Sequence, residues 1–341
     1  MPRYYVQAVD LLLETGSLGL LLAPGAVDAP SHARVCAYLL KCADYLGDSD
    51  EEAACVDTAF KLFINHSQLV DALRVALRAG PLSPGVDARL HQVFDATDDA
   101  SVRKQLAYVL ARHRVNFVAD HDALDSIIGN AWLPELYAAL ARDLDTVEAK
   151  TPEDIYKSHL SDKREGTAER LDSAKANLAA TYVNAFVNAG YGQDKLMTPE
   201  DSKWVYKNRD HGQLAAAASL GLIHIWNDSQ LSELDKYLHA DEENVRAGAV
   251  LGMALACTGT RNRDIDPALA LLSEHLERGS EGGAAAGGDA AKHAVRMAAI
   301  FGLGLAYAGS GRDEVTGEGA ATGVRVWLRT RGSMMIRRAA L

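Results

Sequence analysis

The sequence predicts an all-α protein, and three observations support this prediction. Apolar residues recur at helical spacing along most of the 341-residue chain, whereas the period-two alternation that is typical of strands is almost absent. Hydrophobic residues make up 48% of the chain and aromatic residues only 6%, so Ala, Leu and Val supply most of the apolar surface. That composition suits closely packed helices better than a β-sandwich.

The first 200 residues are predicted to form a series of short amphipathic helices. One apolar stripe ends at Gly80-Pro81, and another follows Asp98–Ser101, whose acidic and hydroxyl side chains suit the start of a helix. The acidic cluster Asp48–Glu52 is interpreted as a helix cap for the same reason. A further start is expected at Thr151, where Pro152 takes the first helical position. The two stripes are Leu69, Leu73, Ala76 and Leu77, and Val102, Leu106, Val109 and Leu110.

From about residue 211 the chain repeats itself. Three segments align on a shared glycine, at Gly221, Gly252 and Gly302, with intervals of 31 and 50 residues. A Gly- and Ala-rich stretch over 279–291 accounts for the longer interval and is predicted to be a flexible insert. Each segment reaches a turn, and the first two continue into a second helix, over 231–238 and 267–276. A helix-turn-helix unit with a period in the thirties is typical of a solenoid.

The repeated glycines predict close packing between helices. Gly248 and Gly252 lie four residues apart, so they remove side chains from one stripe of their helix and let a neighbour approach. Each glycine costs about 1 kcal/mol of helix propensity relative to Ala, which that contact must offset. The alternative is an Ala-rich helix of low complexity, and the recurrence of the glycines in register argues against it.

Asp266 and Pro267 are predicted to begin the second helix of the second repeat.

Charge and cysteine content exclude several classes of protein. The chain has 35 Lys and Arg against 46 Asp and Glu, a net charge of −11, so a basic surface for nucleic acid is not expected. The four cysteines fit no paired metal spacing and are interpreted as buried thiols in a reducing compartment. No stretch approaches the roughly 18 apolar residues of a membrane span, so we expect a soluble, intracellular protein without a membrane partner. The cysteines are Cys36, Cys42, Cys55 and Cys257.

The motifs of an enzyme are missing from the sequence. No GxxxxGK[ST], GxSxG or HExxH pattern occurs, and Gly302-Leu303-Gly304 lacks the third glycine of a dinucleotide site. His224 is interpreted as a packed ring rather than a metal ligand. The segment Lys203–Lys207 mixes basic and aromatic residues as a nucleic-acid platform does, but its position favours a packing junction. We therefore expect no catalytic residue, no cofactor and no metal.

Six segments of the second half carry a resemblance to a known family. They are Asp194–Leu196, Lys203–Gly212, Ala216–Gly221, Asp235–Leu238, Asp266–Ser273 and Ile300–Ser310, with weaker matches at Leu140–Asp145 and Ile155–Lys157. These strings resemble the non-ATPase regulatory subunit 2 family of the 26S proteasome, base scaffolds built on proteasome/cyclosome repeats. The similarity covers roughly residues 31–315.

The resemblance implies both an architecture and a role. A helical-hairpin rod over 1–200 would lead into an α-solenoid of proteasome/cyclosome repeats over 201–315, two repeats and part of a third, which forms an incomplete toroid. Such a protein would be a non-catalytic scaffold of the regulatory particle base, in cytoplasm and nucleus, that supports ATP-dependent degradation of ubiquitinated proteins. It would dock ATPase-ring subunits, other regulatory-particle subunits, and ubiquitin-like domains of shuttle factors or a deubiquitinase. The alternative is a free-standing helical-repeat adaptor unrelated to the proteasome.

A docking site for ubiquitin-like domains is predicted near the first turn of the repeats. Such domains present an apolar patch ringed with basic residues, so a receptor needs aliphatic groups framed by carboxylates. The family has a site for a deubiquitinase's ubiquitin-like domain at about this turn, although Asp228-Ser229-Gln230 does not reproduce its usual residues. The alternative interpretation is a set of helix caps on a solvated face, with Leu234 and Leu238 in the core. The candidates are Asp228, Leu231, Glu233 and Asp235, with Asp241, Glu242 and Glu243 at the next turn.

The end of the chain departs from the family pattern. The tail 316–341 carries five arginines and one acidic residue, a local charge of +4. Together with the short length, this predicts a fragment or a truncated gene model whose tail diverges and does not fold. A natural truncation and a wrong reading frame or unspliced sequence are both compatible with the tail, and its composition favours the second. A basic peptide for membrane or nucleic-acid contact is a third, less favoured interpretation.

Overall fold

A computed structural model describes residues 4–78, 85–115, 117–156, 173–227, 230–261, 266–277 and 289–310. Within these ranges the regular secondary structure is entirely helical, which confirms the predicted all-α class. The chain divides into two compact units, Met1–Leu124 and Asp125–Leu341, and the division falls inside one helix, α7. Gly80-Pro81, most of the predicted insert and the tail 316–341 lie outside the described residues.

The first unit is a series of helices joined by short turns. Asp48 accepts a hydrogen bond from the Asp50 amide at 2.9 Å, and Asp99 accepts one from the Ser101 amide at 2.8 Å, so both predicted caps are confirmed. The helices are α1 (Tyr5–Glu14), α2 (His32–Tyr45), α3 (Ser49–Asn65), α4 (Leu69–Arg78), α5 (Val86–Asp95) and α6 (Ala100–His113), with a 3-10 helix at Leu18–Leu22. The boundary helix is α7 (Asp122–Ile128), whose residues from Asp125 onward belong to the second unit.

The predicted apolar stripes supply part of the core of the first unit. Leu73 of α4 and Leu106 and Leu110 of α6 are fully buried. Two cysteines, Cys36 and Cys55, are also fully buried, and burial raises the pKa of their thiols to about 12 and about 11. Thiols with such values stay protonated at neutral pH and are poor nucleophiles. Cys257 is also buried, so the predicted burial is confirmed for three of the four cysteines, whereas Cys42 is only half-buried.

The second unit contains the predicted repeats. Thr151 and Asp154 cap α9 reciprocally, since the Thr151 amide donates to the Asp154 carboxylate at 2.9 Å. Asp266 accepts a hydrogen bond from the Leu269 amide at 3.1 Å, as predicted for the start of α15. The helices are α8 (Leu133–Asp143), α9 (Pro152–Tyr156), α10 (Ser173–Val187), α11 (Trp204–Lys207), α12 (His211–Ile223), α13 (Ser232–Leu238), α14 (Glu243–Ala256), α15 (Pro267–Glu277) and α16 (Asp289–Ala306).

The three glycine-bearing helices stack side by side. α14 packs against both α12 and α16, while α10 covers the other side of α12. The second helices, α13 and α15, close two apolar clusters. One cluster joins α12, α13 and α14 around Leu220, Leu234 and Met253, and the other joins α14, α15 and α16 around Val250, Leu272 and Leu303. This continuous core, in which each helix pair contacts the next, is a solenoid of repeats.

The glycines lie at the contacts between the stacked helices, as the sequence predicts. A Cβ added to Gly221 would lie 1.9 Å from the carbonyl oxygen of Gly252, and one added to Gly248 would lie 2.4 Å from that of Leu214. At Gly302 the added atom would lie 2.7 Å from the Cβ of Ala254. The helix backbones therefore approach each other at distances that only glycine permits.

Candidate docking surface at the start of the repeats

The predicted docking residues lie on and beside α13. Glu233 and Asp235 occupy its first turn with exposed side chains, where carboxylates also suit the positive end of the helix dipole. Leu231 is half-buried and packs against both repeat clusters, so only part of its aliphatic surface faces solvent. Leu234 is fully buried, as predicted. Asp228 lies outside the described residues.

Exposed carboxylates dominate the electrostatics of this surface. Glu233 forms an ion pair with Lys236 at 3.1 Å, and the Lys236 ammonium also lies 5.3 Å from the ring centroid of Tyr237. Asp235 has no ion-pair partner among the described residues, and Asp241 is exposed at the following turn. The surface can therefore attract a basic partner, because Glu233 already neutralises the positive charge of Lys236.

The turn that precedes α13 is held by Trp226. Its backbone takes a left-handed conformation, with φ 69°, and its amide donates to the carbonyl of Ala256 at 2.7 Å. Its indole meets the ring of Tyr137 edge-on, with centroids 5.2 Å apart. Because a bulky residue rarely adopts a positive φ, these contacts must compensate for the backbone strain. They fix the end of α12 against the end of α14.

A row of polar side chains on α10 and directly after its last residue holds the segment that leads into the repeats. Thr181, Asn184 and Asn188 are all buried. The side-chain oxygen of Asn188 accepts a hydrogen bond from the Lys150 amide at 3.1 Å, and its side-chain nitrogen donates to the Lys150 carbonyl at 2.9 Å. Asn184 donates to the buried Asp194 carboxylate, which also accepts from three backbone amides at 2.7–3.1 Å. This network satisfies every buried polar group in the row, so it rigidifies the entry to the repeats.

The segment Lys203–Lys207 is a packing junction, as its position in the sequence indicates. Val205 is buried, and the indole nitrogen of Trp204 donates to the hydroxyl of Thr181 at 2.9 Å. Lys207 folds back over the Trp204 ring, 5.6 Å from its centroid. One face of the indole is thus already covered by this chain.

An ion pair that the sequence does not reveal joins α7 to the turn after α14. Arg261 contacts Asp125 at 2.6 Å, and their side chains are only 17% and 7% exposed. The Arg261 amide donates to the carbonyl of Gly129 at 2.7 Å, and the Asn130 side chain donates to the carbonyl of Gly259 at 2.8 Å. Three charged or polar contacts therefore hold this turn to the helix, although 136 residues separate the paired charges.

His224, at the end of α12, is buried, and neither ring nitrogen has a described partner within ordinary hydrogen-bond geometry, although the Gln230 side chain lies nearby. Burial lowers the pKa of its imidazole, while the charge of Glu233, the Gln230 side chain and the charge of Asp194 act in the opposite direction. The neutral ring is therefore favoured in the folded state, and the unfolded state binds the proton first as the pH falls below about 6.5.

We expect the stability of the second unit to decrease between pH 7.5 and pH 5.5, and His224→Phe to reduce that decrease. Urea unfolding at the two pH values, on the original chain and on the variant, measures the difference. His121→Phe is the control, because His121 is exposed. An identical pH dependence in the original chain and in His224→Phe would contradict the assignment.

The described ranges contain neither a candidate metal site nor a candidate membrane span. No three His, Cys, Asp or Glu side chains there are grouped so that they could hold a metal ion. Among the helices that the structure describes, none has the length and apolar character needed to cross a bilayer.

Comparisons with known proteins point to one family. A family model for the RPN1 N-terminal domain matches residues 5–161. The 26S proteasome non-ATPase regulatory subunit 2 homolog B of Arabidopsis thaliana is 43% identical over 78% of this chain and 31% of its own length. The 26S proteasome regulatory subunit RPN1 of Candida glabrata is 44% identical over 78% of this chain and 26% of its own.

A third relative extends the match over most of the chain. The 26S proteasome non-ATPase regulatory subunit 2 of Dictyostelium discoideum is 38% identical over 91% of this chain and 32% of its own length. The chain thus spans about a third of the length of the curated relatives it matches. Together with the stacked, glycine-bearing helices, these matches show that the chain belongs to the 26S proteasome non-ATPase regulatory subunit 2 family.

Proposed function

We propose that this chain acts as a non-catalytic scaffold in the base of the proteasome regulatory particle, in cytoplasm and nucleus. In this role it supports ATP-dependent degradation of ubiquitinated proteins through contacts alone. The names of the relatives indicate which assembly the chain would join. The stacking of α12, α14 and α16 is the observation that supports a scaffold role. A continuous stack of packed helices presents an extended, rigid surface for other subunits.

Two kinds of partner fit this proposal. The first comprises the proteasomal ATPase-ring subunits and other subunits of the regulatory particle. The second comprises ubiquitin-like domains of shuttle factors or of a deubiquitinase, which would meet the surface of Asp228, Leu231, Glu233 and Asp235. The exposed carboxylates of α13 support this second partner, because basic residues surround the apolar patch of such domains.

Affinity purification of the tagged chain from a cell extract tests the scaffold role. We expect ATPase subunits of the proteasome to be recovered in stable proportion, whereas the tag alone recovers none. Recovery of the folded chain without any proteasome subunit would contradict the proposal and favour a free-standing adaptor. Catalytic turnover by the isolated chain would contradict its non-catalytic character.

For the docking surface, we expect the double variant Glu233→Lys, Asp235→Lys to bind a ubiquitin-like domain about tenfold more weakly at low salt. Reversing two exposed charges removes the attraction that accelerates association, and the difference should shrink as salt screens it. Biolayer interferometry at two salt concentrations measures the association rate.

Glu51→Lys, Glu52→Lys is the matched control, since these acids lie in the first turn of α3, in the other unit. The control should bind as the original chain does. Equal binding by the α13 variant and the original chain would show that ubiquitin-like domains do not dock on α13, without affecting the scaffold proposal.

A further inference from the structure

A row of apolar side chains along α8 is exposed to solvent. Trp132, Leu136, Leu140 and Leu144 follow each other at intervals of four residues, and they are 50%, 52%, 54% and 62% exposed. Residues spaced in this way form one ridge along a helix surface, and these four are called the α8 ridge below. Together they expose roughly 400 Å² of apolar surface, comparable to the largest patches of ordinary monomers, which often mark binding sites.

The orientation of the α8 ridge is fixed by the opposite face of the helix. Ala141 is buried, and the Tyr137 hydroxyl donates to the carbonyl of Ala189 at 3.2 Å. A Cβ on Gly190 would lie 2.9 Å from the Tyr137 ring, so no space remains between the ring and that backbone. α8 therefore cannot rotate to bury the ridge without breaking these contacts.

A groove with acidic ends runs beside the α8 ridge. Glu135, Ala139 and Asp143 form the neighbouring row of the helix, at the same four-residue spacing. Ala139 is small, so the middle of the groove is open, and the exposed carboxylates of Glu135 and Asp143 stand near its two ends, about 12 Å apart along the axis. Neither carboxylate forms an ion pair within the described part of the chain.

The carboxylates at the end of α8 are placed against the helix dipole. Asp143 lies in the last turn and Asp145 follows the helix, where the dipole is negative and basic residues are the favourable ones. Only Arg142 offsets them in that turn, and the segment 131–148 holds four acidic residues against this one arginine. Such a conflict between a residue and its local structure is typical of a functional surface. A cation from another molecule would relieve it.

We propose that the α8 ridge binds a basic amphipathic helix of another protein. The ridge is a narrow row about 18 Å long, a shape that fits the groove on the surface of a second helix. Apolar residues of the partner cover the ridge at intervals of three and four positions, and its Lys or Arg side chains meet Asp143 and Asp145. A second copy of this chain does not fit, because it would bring the same carboxylates. The inference is independent of the docking surface on α13.

The size of the α8 ridge indicates a weak and reversible contact. Roughly 400 Å² on each side gives a total of roughly 800 Å², below the 1,200 Å² or more of stable complexes. We therefore expect a dissociation constant on the order of 10–100 µM. Salt should weaken the binding, because it screens the attraction between opposite charges. Part of the binding should persist in high salt, since the apolar contact is not screened.

Fluorescence anisotropy with the full chain and labelled synthetic helices tests the proposal. The first probe is an Ala-based helix of about 18 residues, with Leu along one stripe and Lys on both of its edges. The second probe has Glu in place of every Lys, and the third keeps the composition of the first but distributes its Leu residues around the helix. We expect the first probe to bind, and the other two to bind at least tenfold more weakly.

Variants of the chain locate the binding site of the first probe. The double variant Leu136→Ser, Leu140→Ser should bind at least tenfold more weakly, whereas Leu11→Ser, the matched control in α1 with 61% exposure, should bind as the original chain does. Asp143→Asn, Asp145→Asn should bind about fivefold more weakly at low salt and show a smaller salt dependence. Asn also tolerates the left-handed backbone of Asp145, φ 53°. Circular dichroism verifies that each variant is folded.

Several results would overturn the proposal. Equal binding by the leucine double variant and the original chain would mean that charge alone attracts the probe, and equal binding of the Glu probe would exclude a basic partner. Hydrogen exchange of the chain without a probe distinguishes the other occupants. Protection of α8 at every concentration would show that the same chain covers the ridge, and protection that rises with concentration would assign the ridge to a second copy.

Discussion

Replacing Gly221 with Ala should destabilise the second unit by about 3 kcal/mol or more, which is near the upper end of overpacking effects. The new Cβ would lie 1.9 Å from the carbonyl oxygen of Gly252 and 2.4 Å from its carbonyl carbon. Backbone atoms cannot move aside as the end of a side chain can, so α12 and α14 must separate. The better helix propensity of Ala returns only about 1 kcal/mol.

Two further glycines calibrate this prediction. An Ala at Gly252 would meet the end of the Leu234 side chain at 3.0 Å and the carbonyl oxygen of Ala217 at 3.2 Å, and because both distances are longer than those at Gly221 we expect a smaller loss of stability. A Cβ at Gly47 meets no atom within 4 Å, and Gly47→Ala should change stability by less than about 0.5 kcal/mol. Urea unfolding of the three variants, followed by circular dichroism, provides the ranking. A Gly221→Ala variant as stable as Gly47→Ala would show that the two backbones are not in contact.

Removing the charge of Arg261 should destabilise the second unit by about 3–5 kcal/mol. The Arg261→Met variant leaves Asp125, which is 7% exposed, without the guanidinium that lies 2.6 Å away. A buried carboxylate without that partner must lose its charge or draw water into the core, and both changes are unfavourable. Met keeps much of the side-chain volume, so the loss reports mainly on the charge.

A second substitution distinguishes the lost charge from lost packing. The double variant Asp125→Leu, Arg261→Met removes both charges, and we expect it to recover a large part of the stability. Lys236→Met breaks an exposed ion pair and should change stability by less than about 1 kcal/mol. Thermal unfolding of the original chain, Arg261→Met, the double variant and Lys236→Met measures these differences in stability. A double variant no more stable than Arg261→Met would mean that the charges do not depend on each other.

Much of the fold could be predicted because its signals are local or periodic. The caps at Asp48 and Asp99 depend on residues two positions away, and the structure shows both. The glycine register is visible because the same packing constraint recurs in each repeat. The positions of Gly221 and Gly252 in the sequence therefore predict a contact between helices, which the structure shows. Two segments of the family resemblance, Ala216–Gly221 and Ile300–Ser310, lie on α12 and at the end of α16.

Other contacts carry no local signal. Asp125 and Arg261 become neighbours only after the intervening helices have packed, and neither residue belongs to a recognisable motif. The left-handed backbone of Trp226 contradicts the preference of a bulky residue, so only its tertiary contacts explain it. The buried amide of Asn188 similarly depends on the backbone of Lys150, 38 residues earlier.

The candidate docking residues illustrate a third limit of sequence analysis. Carboxylates at helical positions identify a polar face, and Glu233 and Asp235 are exposed as such a face requires. An aliphatic residue such as Leu231 can belong to a docking surface or to the core. Its position against both repeat clusters depends on how α13 is tilted, and residue spacing does not specify that tilt.

The interlocking of α12 and α14 at Gly221 and Gly252 has a mechanical consequence. The carbonyl of Gly252 in α14 occupies the space beside Gly221 in α12. If one helix slid along the other, the two backbones would clash. Tilting about that point keeps the two helices in contact and meets far less resistance. A pulling force on the stack should therefore produce small rotations at the glycine contacts between neighbouring helices. It should not make one helix slide along another.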